Sequence, residues 1–281
     1  MGVLQTWWAY RTPWQKFLVF LAAAWVISAI VFVVVRGPAP QPSVFTISLS
    51  GGEPTLLTAG NDPAWSPDGG SIAFTKETET GATGIFVLDL ATSESRYITD
   101  GTNPSWSPDG TMLAFDARAE DEGATIYLVD LSTLEITAVT DGDEPTWAPD
   151  GTALAFSEED EADNPGIYIV DLATSAVTFL TAGEEPSWSP DGAALAFVLE
   201  DPEGNPDVYT YDLASSVQTL VGEGDDPAWS PNGTSLAFTE QSEAGPVIFV
   251  VEIGAAPVRV TEGEEPDWSP DGSQLTFVKK G

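Results

Sequence analysis

Carboxylates are the only chemically versatile side chains that this sequence supplies in number. It contains 44 Asp and Glu against nine Lys and Arg, and it has neither His nor Cys. Ser–His–Asp and Cys–His nucleophiles are therefore excluded, as are His or thiolate metal sites. The chemistry that remains is that of oxygen groups: ligands for Ca²⁺, the paired acids of a glycosidase, or an anionic surface for a partner.

Two acidic runs are weak candidates for a Ca²⁺ site, and we otherwise expect no cofactor. One is the Asp-Gly-Asp-Glu sequence at 141–144 and the other is Glu-Glu-Asp-Glu at 158–161. The candidate ligands are Asp141, Asp143, Glu144, Glu158 and Asp160. Neither run has the ligand spacing of an EF-hand. No single pair of carboxylates stands out as acid and nucleophile, so a carboxylate-only glycosidase is a remote alternative.

The basic residues argue against two further classes of protein. Only six follow residue 43: Lys76, Arg96, Arg118, Arg259, Lys279 and Lys280. A sialidase needs a cluster of arginines at its active site, and the three arginines among these residues do not supply one. Because all 44 acidic residues also follow residue 43, this part of the chain has a net charge of −38. That charge repels nucleic acid.

The elements that must position these carboxylates are set by a twelve-residue stretch at 104–115, Pro-Ser-Trp-Ser-Pro-Asp-Gly-Thr-Met-Leu-Ala-Phe. It occurs six times, with its tryptophans at Trp65, Trp106, Trp147, Trp188, Trp229 and Trp268. Ser-Pro-Asp-Gly favours a turn, because Pro presets φ, Asp bonds its own backbone and Gly accepts a positive φ. Each copy therefore predicts a β-hairpin in which Trp and Asp109 have structural roles.

The remainder of each period predicts two more strands. Residues 126–131 are apolar and β-rich, and 138–140 supply a short fourth strand. Four strands in 41 residues is the span of one propeller blade. The segment 44–49 corresponds to 85–90, so the domain begins with the third strand of a blade and ends after a second. We predict an all-β, six-bladed propeller over 44–281, closed by strands from both termini without an exposed sheet edge.

The sequence Trp-Ser-Pro-Asp-Gly-x-x-Leu-Ala-Phe, followed by Ile-Tyr-x-x-Asp-Leu, resembles the TolB-type (WD40-like) β-propeller repeat. That repeat also occurs in the propeller domains of prolyl oligopeptidase relatives. The resemblance covers 44–281 and implies a fold, since the motif builds blades and not sites. TolB carries an α/β domain ahead of its propeller and the related hydrolases carry a catalytic domain; we find no match to either here.

The predicted blades place most of the acidic residues on one face. In antiparallel blades the loops between strands two and three share a face with the connections between blades, and these hold 30 of the 44 acids. The candidate partner-binding residues are Asp141, Asp143, Glu144, Glu184, Glu185, Asp225, Asp226, Glu264 and Glu265. The alternative is an acidic surface that serves solubility alone, as in salt-adapted proteins.

The N-terminal region predicts one transmembrane helix at 17–36, after a short segment at 1–16. Between Phe17 and Val35 the only polar side chain is Ser28, and as a helix this run spans about 28 Å. The candidate membrane residues are Trp7, Trp8, Trp14, Phe17, Trp25 and Val35. A cleaved signal peptide is the alternative.

The charges that flank this segment predict its orientation. Arg11 and Lys16 precede it and Arg36 follows, so the positive-inside rule favours a cytoplasmic N-terminus and an extracytoplasmic propeller. The Pro-rich linker at 37–43 reaches only about 22 Å, which keeps the propeller close to the cell membrane.

Together these features predict a single-pass membrane protein without catalytic activity. We expect it to bind protein partners as a scaffold or as an accessory subunit of a membrane complex. The alternative is a sensor module for a small ligand or Ca²⁺.

Overall fold

The computed structural model describes residues 41–118, 123–160 and 164–280. The chain divides into two compact units, Met1–Gln41 and Pro42–Gly281. Within the described ranges all regular structure is β-strand, and no helix there has the length and apolarity to cross a membrane. The predicted transmembrane helix and the segment before it lie outside the described residues.

The unit Pro42–Gly281 is a six-bladed propeller whose described residues form 24 strands in six four-stranded antiparallel sheets. From the innermost strand outwards, blade 1 is β3 (Asn61–Trp65), β4 (Ser71–Glu77), β5 (Thr83–Asp89) and β6 (Ser95–Asp100). Blade 2 is β7 (Thr102–Trp106), β8 (Met112–Arg118), β9 (Ala124–Asp130) and β10 (Ile136–Asp141). Blade 3 is β11 (Asp143–Trp147), β12 (Ala153–Glu159), β13 (Pro165–Asp171) and β14 (Ala176–Ala182).

The second half of the propeller repeats this arrangement. Blade 4 is β15 (Glu184–Trp188), β16 (Ala194–Glu200), β17 (Pro206–Asp212) and β18 (Val217–Glu223). Blade 5 is β19 (Asp225–Trp229), β20 (Ser235–Ser242), β21 (Gly245–Glu252) and β22 (Val258–Glu262). Blade 6 is β23 (Glu264–Trp268), β24 (Gln274–Lys279), β1 (Ser43–Ser48) and β2 (Thr55–Ala59).

Blade 6 confirms the predicted closure. Strand β1 pairs antiparallel with β24, with Val44 opposite Val278 and Phe45 opposite Phe277. The two ends of the propeller thus share one sheet, and the last blade is completed by backbone hydrogen bonds between distant parts of the sequence.

The repeated hairpin forms as predicted and supplies the core. In blade 2 the Asp109 carboxylate accepts hydrogen bonds from the Ser107 hydroxyl and from the Thr111 backbone N–H. The phenylalanine of each second strand is fully or almost fully buried: Phe74, Phe115, Phe156, Phe197, Phe238 and Phe277. Phe115 stacks on Tyr127 of the third strand, with ring centroids 5.5 Å apart. Phe115 also packs against Ala73 and Ile85 of blade 1, so this aromatic side chain contributes to the contact between neighbouring blades.

Candidate functional site: the axial carboxylate ring

The innermost strands share an unusual backbone conformation. In every blade the second residue of the innermost strand has a φ between 48° and 55°, in the left-handed region. The pairing register shifts between the first and fourth residues of the same strand, as it does from Glu184 to Ser187. These six residues, which we call the axial ring, are Asp62, Asn103, Glu144, Glu185, Asp226 and Glu265. Five of the six are acidic, and each directly precedes a proline.

The axial ring lies at a central channel of about 570 Å³. All six blades contribute their innermost strands to its wall, including the prolines that follow the ring residues and the indoles of Trp65, Trp106 and Trp147. The ring residues follow directly on the connections between blades, so the channel opens on the face that those connections form. The channel is therefore negatively lined at one mouth.

The ring carboxylates link neighbouring blades. The backbone N–H of each of four ring residues donates to the carboxylate of the ring residue in the preceding blade. These bonds run from Asp62 N to Glu265 Oε2 at 2.6 Å, from Asp226 N to Glu185 Oε2 at 2.6 Å, from Glu185 N to Glu144 Oε2 at 3.0 Å, and from Glu265 N to Asp226 Oδ2 at 3.1 Å. The left-handed backbone of each ring residue thus presents its N–H to the adjacent blade.

Blade 2 supplies its carboxylate from a different strand. Its ring residue is Asn103, whose Nδ2 donates to Asp116 Oδ1 at 2.8 Å. Asp116 lies on β8 and is only 3% exposed, and its Oδ1 also accepts the backbone N–H of Glu144 at 3.3 Å. Every blade therefore contributes one carboxylate to the axis, although in blade 2 it comes from the second strand.

Burial raises the pKa of the ring carboxyl groups. Desolvation raises the pKa of Glu144 to about 7, that of Glu185 to about 9 and that of Glu265 to about 8. The same cause raises the pKa of Asp62 and of Asp226, while hydrogen bonds from Thr75 and from the Glu265 N–H oppose it, respectively. At neutral pH Glu185 and Glu265 are consequently protonated, and the ring carries fewer charges than its residues suggest.

A further acid lies deeper in the channel, at the junction of the first and last blades. Asp267 occupies the fourth position of β23, where the other blades have Ala, Ser or Thr. Its Oδ2 accepts the backbone N–H of Trp65 at 2.7 Å, and burial raises its pKa to about 6. Asp267 therefore ties the innermost strand of blade 6 to the innermost strand of blade 1.

The first residues of the innermost strands form the rim outside the ring. Asp143 Oδ2 pairs with Arg118 Nη2 at 2.9 Å, and Glu264 Oε1 pairs with Lys280 Nζ at 2.6 Å. Asp225 accepts a hydrogen bond from Gln241 at 3.4 Å. The predicted partner-binding residues thus fall into two sets. Glu144, Glu185, Asp226 and Glu265 belong to the ring, whereas Asp141, Asp143, Glu184, Asp225 and Glu264 lie at or beside the rim.

The five predicted Ca²⁺ ligands do not all lie in the same cavity. Asp141, Asp143, Glu158 and Asp160 line one cavity of about 590 Å³ together with Arg118. Glu144 points away from it, since its Oε2 accepts bonds from Ser157 and Glu185 at the ring. Asp160 is hydrogen-bonded to Asn164. Across the described ranges, no three His, Cys, Asp or Glu side chains are grouped so that they could hold a metal ion. The Ca²⁺ site stays a prediction.

Sequence reasoning did not single out three members of this site. They are Asp62 in β3, Asp116 in β8 and Asp267 in β23. One signal was available: the residue three places before Trp is Asp, Asn or Glu in all six copies. No comparable signal marks Asp116, because its counterparts in the other blades are Thr, Ser or Val.

Comparison with known proteins gives one family and a set of similar structures. The model of the TolB beta propeller domain (PD40) matches residues 103–226. TolB from Acinetobacter baumannii is 24% identical, with a TM-score of 0.70 over 88% of this chain and 72% of that one. A putative TolB from Agrobacterium tumefaciens is 19% identical, with a TM-score of 0.75 over 87% and 99%.

An oligogalacturonate lyase in complex with manganese is 17% identical, with a TM-score of 0.56 over 88% of this chain and 98% of that one. No curated protein matches the sequence. At these identities the similar structures establish the fold alone. The family model identifies the repeats within residues 103–226 by their sequence. The resemblance predicted from the Trp-Ser-Pro-Asp-Gly motif is confirmed, and residues 103–226 match the TolB beta propeller domain model.

Proposed function

We propose that this propeller is a non-catalytic binding module whose acidic face receives a basic surface of a protein partner. The observation that carries the proposal is the placement of the channel mouth, the axial ring and the rim on one face. The exposed acids of the rim and of the connections around it attract a cationic partner over several ångströms and speed its association.

The opposite face offers a partner much less. Its turn aspartates are occupied by their own backbones; Asp130, for example, accepts bonds from the Ser132 and Thr133 N–H groups. Asp171 makes the same bonds to Ala173 and Thr174. These carboxylates fix the turns between the third and fourth strands, so the acids left for a partner concentrate at the channel mouth.

Catalysis is not part of this proposal. The chain has no His or Cys to serve as base or nucleophile, and the ring carboxylates already accept backbone N–H groups from the next blade. A glycosidase needs one free acid and one free nucleophile at a fixed separation. The ring geometry supports a role in recognition more than one in bond cleavage.

We further propose that the propeller acts outside the cytoplasm as an accessory or scaffold subunit of a membrane complex. This rests on the apolar run between Phe17 and Val35, the flanking charges and the short Pro-rich linker. A propeller held within about 22 Å of the membrane by such a linker would meet membrane proteins more readily than freely diffusing ones.

The test is co-purification of the full chain from a gentle detergent extract, with two charge-reversal variants of equal charge change. Asp141→Lys combined with Glu223→Lys alters two exposed acids of the channel face. Glu94→Lys combined with Glu135→Lys alters two exposed acids of the opposite face. We expect the wild type and the second variant to retain a partner that the first variant loses. Recovery of the wild type as a lone monomer, or equal loss in both variants, would contradict the proposal.

A further inference from the structure

We infer that the axial ring is a proton-dependent clasp. Its buried carboxyl groups hold protons at neutral pH while four of them accept backbone N–H groups from the next blade, and losing those protons under alkaline conditions weakens the propeller at its axis. This inference concerns the fold's response to pH and does not depend on the proposed partner.

The geometry places like charges against one another from separate blades. Glu185 on β15 is faced by Glu144 from β11 and by Asp225 and Asp226 from β19. The Glu185 carboxylate also accepts the Asp226 N–H at 2.6 Å, so it cannot move away without breaking an inter-blade bond. Ionising all of these groups together would place several negative charges around one narrow channel.

Acidic groups are equally close together in the part of the ring where blade 6 lies against blade 1. Glu265 on β23 is faced by Asp62 from β3, by Asp226 from β19 and by its neighbour Glu264. Asp62 is faced in turn by Asp116 from β8 and by Asp226. The Asp62 N–H donates to Glu265 at 2.6 Å, so the clasp also spans the seam where the first blade meets the last.

Cations do not neutralise the ring. Across the described residues, the ion pairs are Arg118–Asp143, Arg259–Glu262 and Lys280–Glu264, and none of them includes a ring carboxylate. Lys280 lies near enough to lower the pKa of Asp226, but its hydrogen bond goes to Glu264. Removing an unpaired carboxylate from water is expensive, and the group avoids that cost by keeping its proton.

The sign of the pH dependence follows from these protons. A carboxyl group whose pKa is higher in the folded state binds its proton more tightly there than in the unfolded chain. Its contribution to stability is complete below the ordinary value of about 4.5 and is lost as the pH rises through the folded value. For Glu265 and Glu185 that loss extends to about pH 8 and about pH 9.

The composition leaves few other groups that could titrate between about pH 6 and about pH 9. The sequence has no His and no Cys, which are the side chains that ordinarily titrate between pH 6 and pH 9. Apart from the terminal amine, the groups expected to change charge in that range are the ring carboxyls and, at its lower end, Asp225 and Asp267, since burial raises the pKa of each of these two to about 6. The exposed turn aspartates titrate far below it, since backbone and hydroxyl donors lower their pKa, as they do for Asp109 and Asp171.

The experiment is thermal unfolding of the full chain at several pH values from about 6 to about 9, at constant ionic strength. We expect the melting temperature of the wild type to fall steadily across this range. The double substitution Glu185→Gln and Glu265→Gln removes two titrating groups but keeps an oxygen to accept each N–H. Its melting temperature should fall less steeply with pH than that of the wild type, and the slope that remains is expected from Glu144, whose pKa burial raises to about 7. Glu94→Gln with Glu135→Gln is the matched control on exposed positions and should follow the wild type.

A second measurement needs no variant and covers the case in which the double variant does not fold. Calorimetric unfolding at pH 7 in buffers of different ionisation enthalpy counts the protons exchanged with solvent. Glu185 and Glu265 are protonated in the folded chain and ionised in the unfolded one, so we expect release of about two protons or more. Release of none, or an unchanged pH slope in a folded double variant, would overturn the inference.

Discussion

At the scale of single residues, Asp267 is the side chain whose removal should be felt most at the junction between the first and last blades. Its Oδ2 accepts the Trp65 N–H at 2.7 Å, so truncation leaves that N–H unpaired inside the channel wall. Asp267→Ala should lower the free energy of unfolding by about 1–3 kcal/mol, the usual consequence of an unsatisfied buried donor. Denaturant unfolding of the full chain near pH 7 measures the difference.

Blade 4 offers the matched control for this position. Ser187 occupies the same place in β15, and its Oγ accepts the Trp229 N–H at the longer distance of 3.4 Å. Ser187→Ala should therefore cost less than about 0.5 kcal/mol, as most substitutions away from strong contacts do. Asp267→Asn keeps an acceptor and should recover most of the loss. Equal losses for the two alanine variants would show that the Asp267 bond has no special role.

At the scale of elements, the entry to each innermost strand depends on a glycine. Gly183 precedes β15 with a φ of 131°, and a Cβ there would lie 2.5 Å from the Val198 carbonyl oxygen and 2.6 Å from the Phe197 ring. Gly52 has a φ of 132°, but a Cβ there would meet nothing within 4 Å. Both alanine substitutions strain the backbone, and only Gly183→Ala adds a clash, which should cost about 1–3 kcal/mol more.

Urea unfolding of the two glycine variants measures that difference directly. Because the backbone strain is shared, the gap between the variants isolates the close packing of the connection against the second strand. A Gly52→Ala variant as unstable as Gly183→Ala would assign the whole effect to backbone conformation and remove the packing argument.

The same elements show what the sequence could and could not predict. The hairpins, the six blades and the closing sheet followed from the turn residues and the 41-residue period, because local propensity and repetition agree there. The ring did not follow, because it depends on a left-handed residue placed before proline, where sequence propensities favour an extended backbone. The role of Asp116 could not be predicted either, because this residue of β8 supplies the carboxylate that the other blades supply from their innermost strand.

At the scale of the whole molecule, charge and closure act against each other. The residues after 43 carry a net charge of −38, and their mutual repulsion favours an expanded chain. Closure of the propeller depends on the antiparallel pairing of β1 with β24, on the packing of Phe74 against Val278, and on the contacts of Asp62 and Trp65 with blade 6. The junction between the two ends is therefore where self-repulsion should first show its effect.

Salt should stabilise this propeller because it screens that repulsion. The screening length falls from about 10 Å at 0.1 M to about 3 Å at 1 M. We expect the melting temperature at pH 7 to rise by at least about 3 °C between these concentrations of NaCl, a change equivalent to roughly 1 kcal/mol for a domain of this size.

A comparison of CaCl₂ with NaCl separates screening from specific binding. If screening alone operates, CaCl₂ at matched ionic strength should raise the melting temperature by the same amount. A larger rise at about 1 mM Ca²⁺ that is lost in Asp141→Asn would support the predicted Ca²⁺ site, whereas a melting temperature insensitive to NaCl would contradict the role given to self-repulsion.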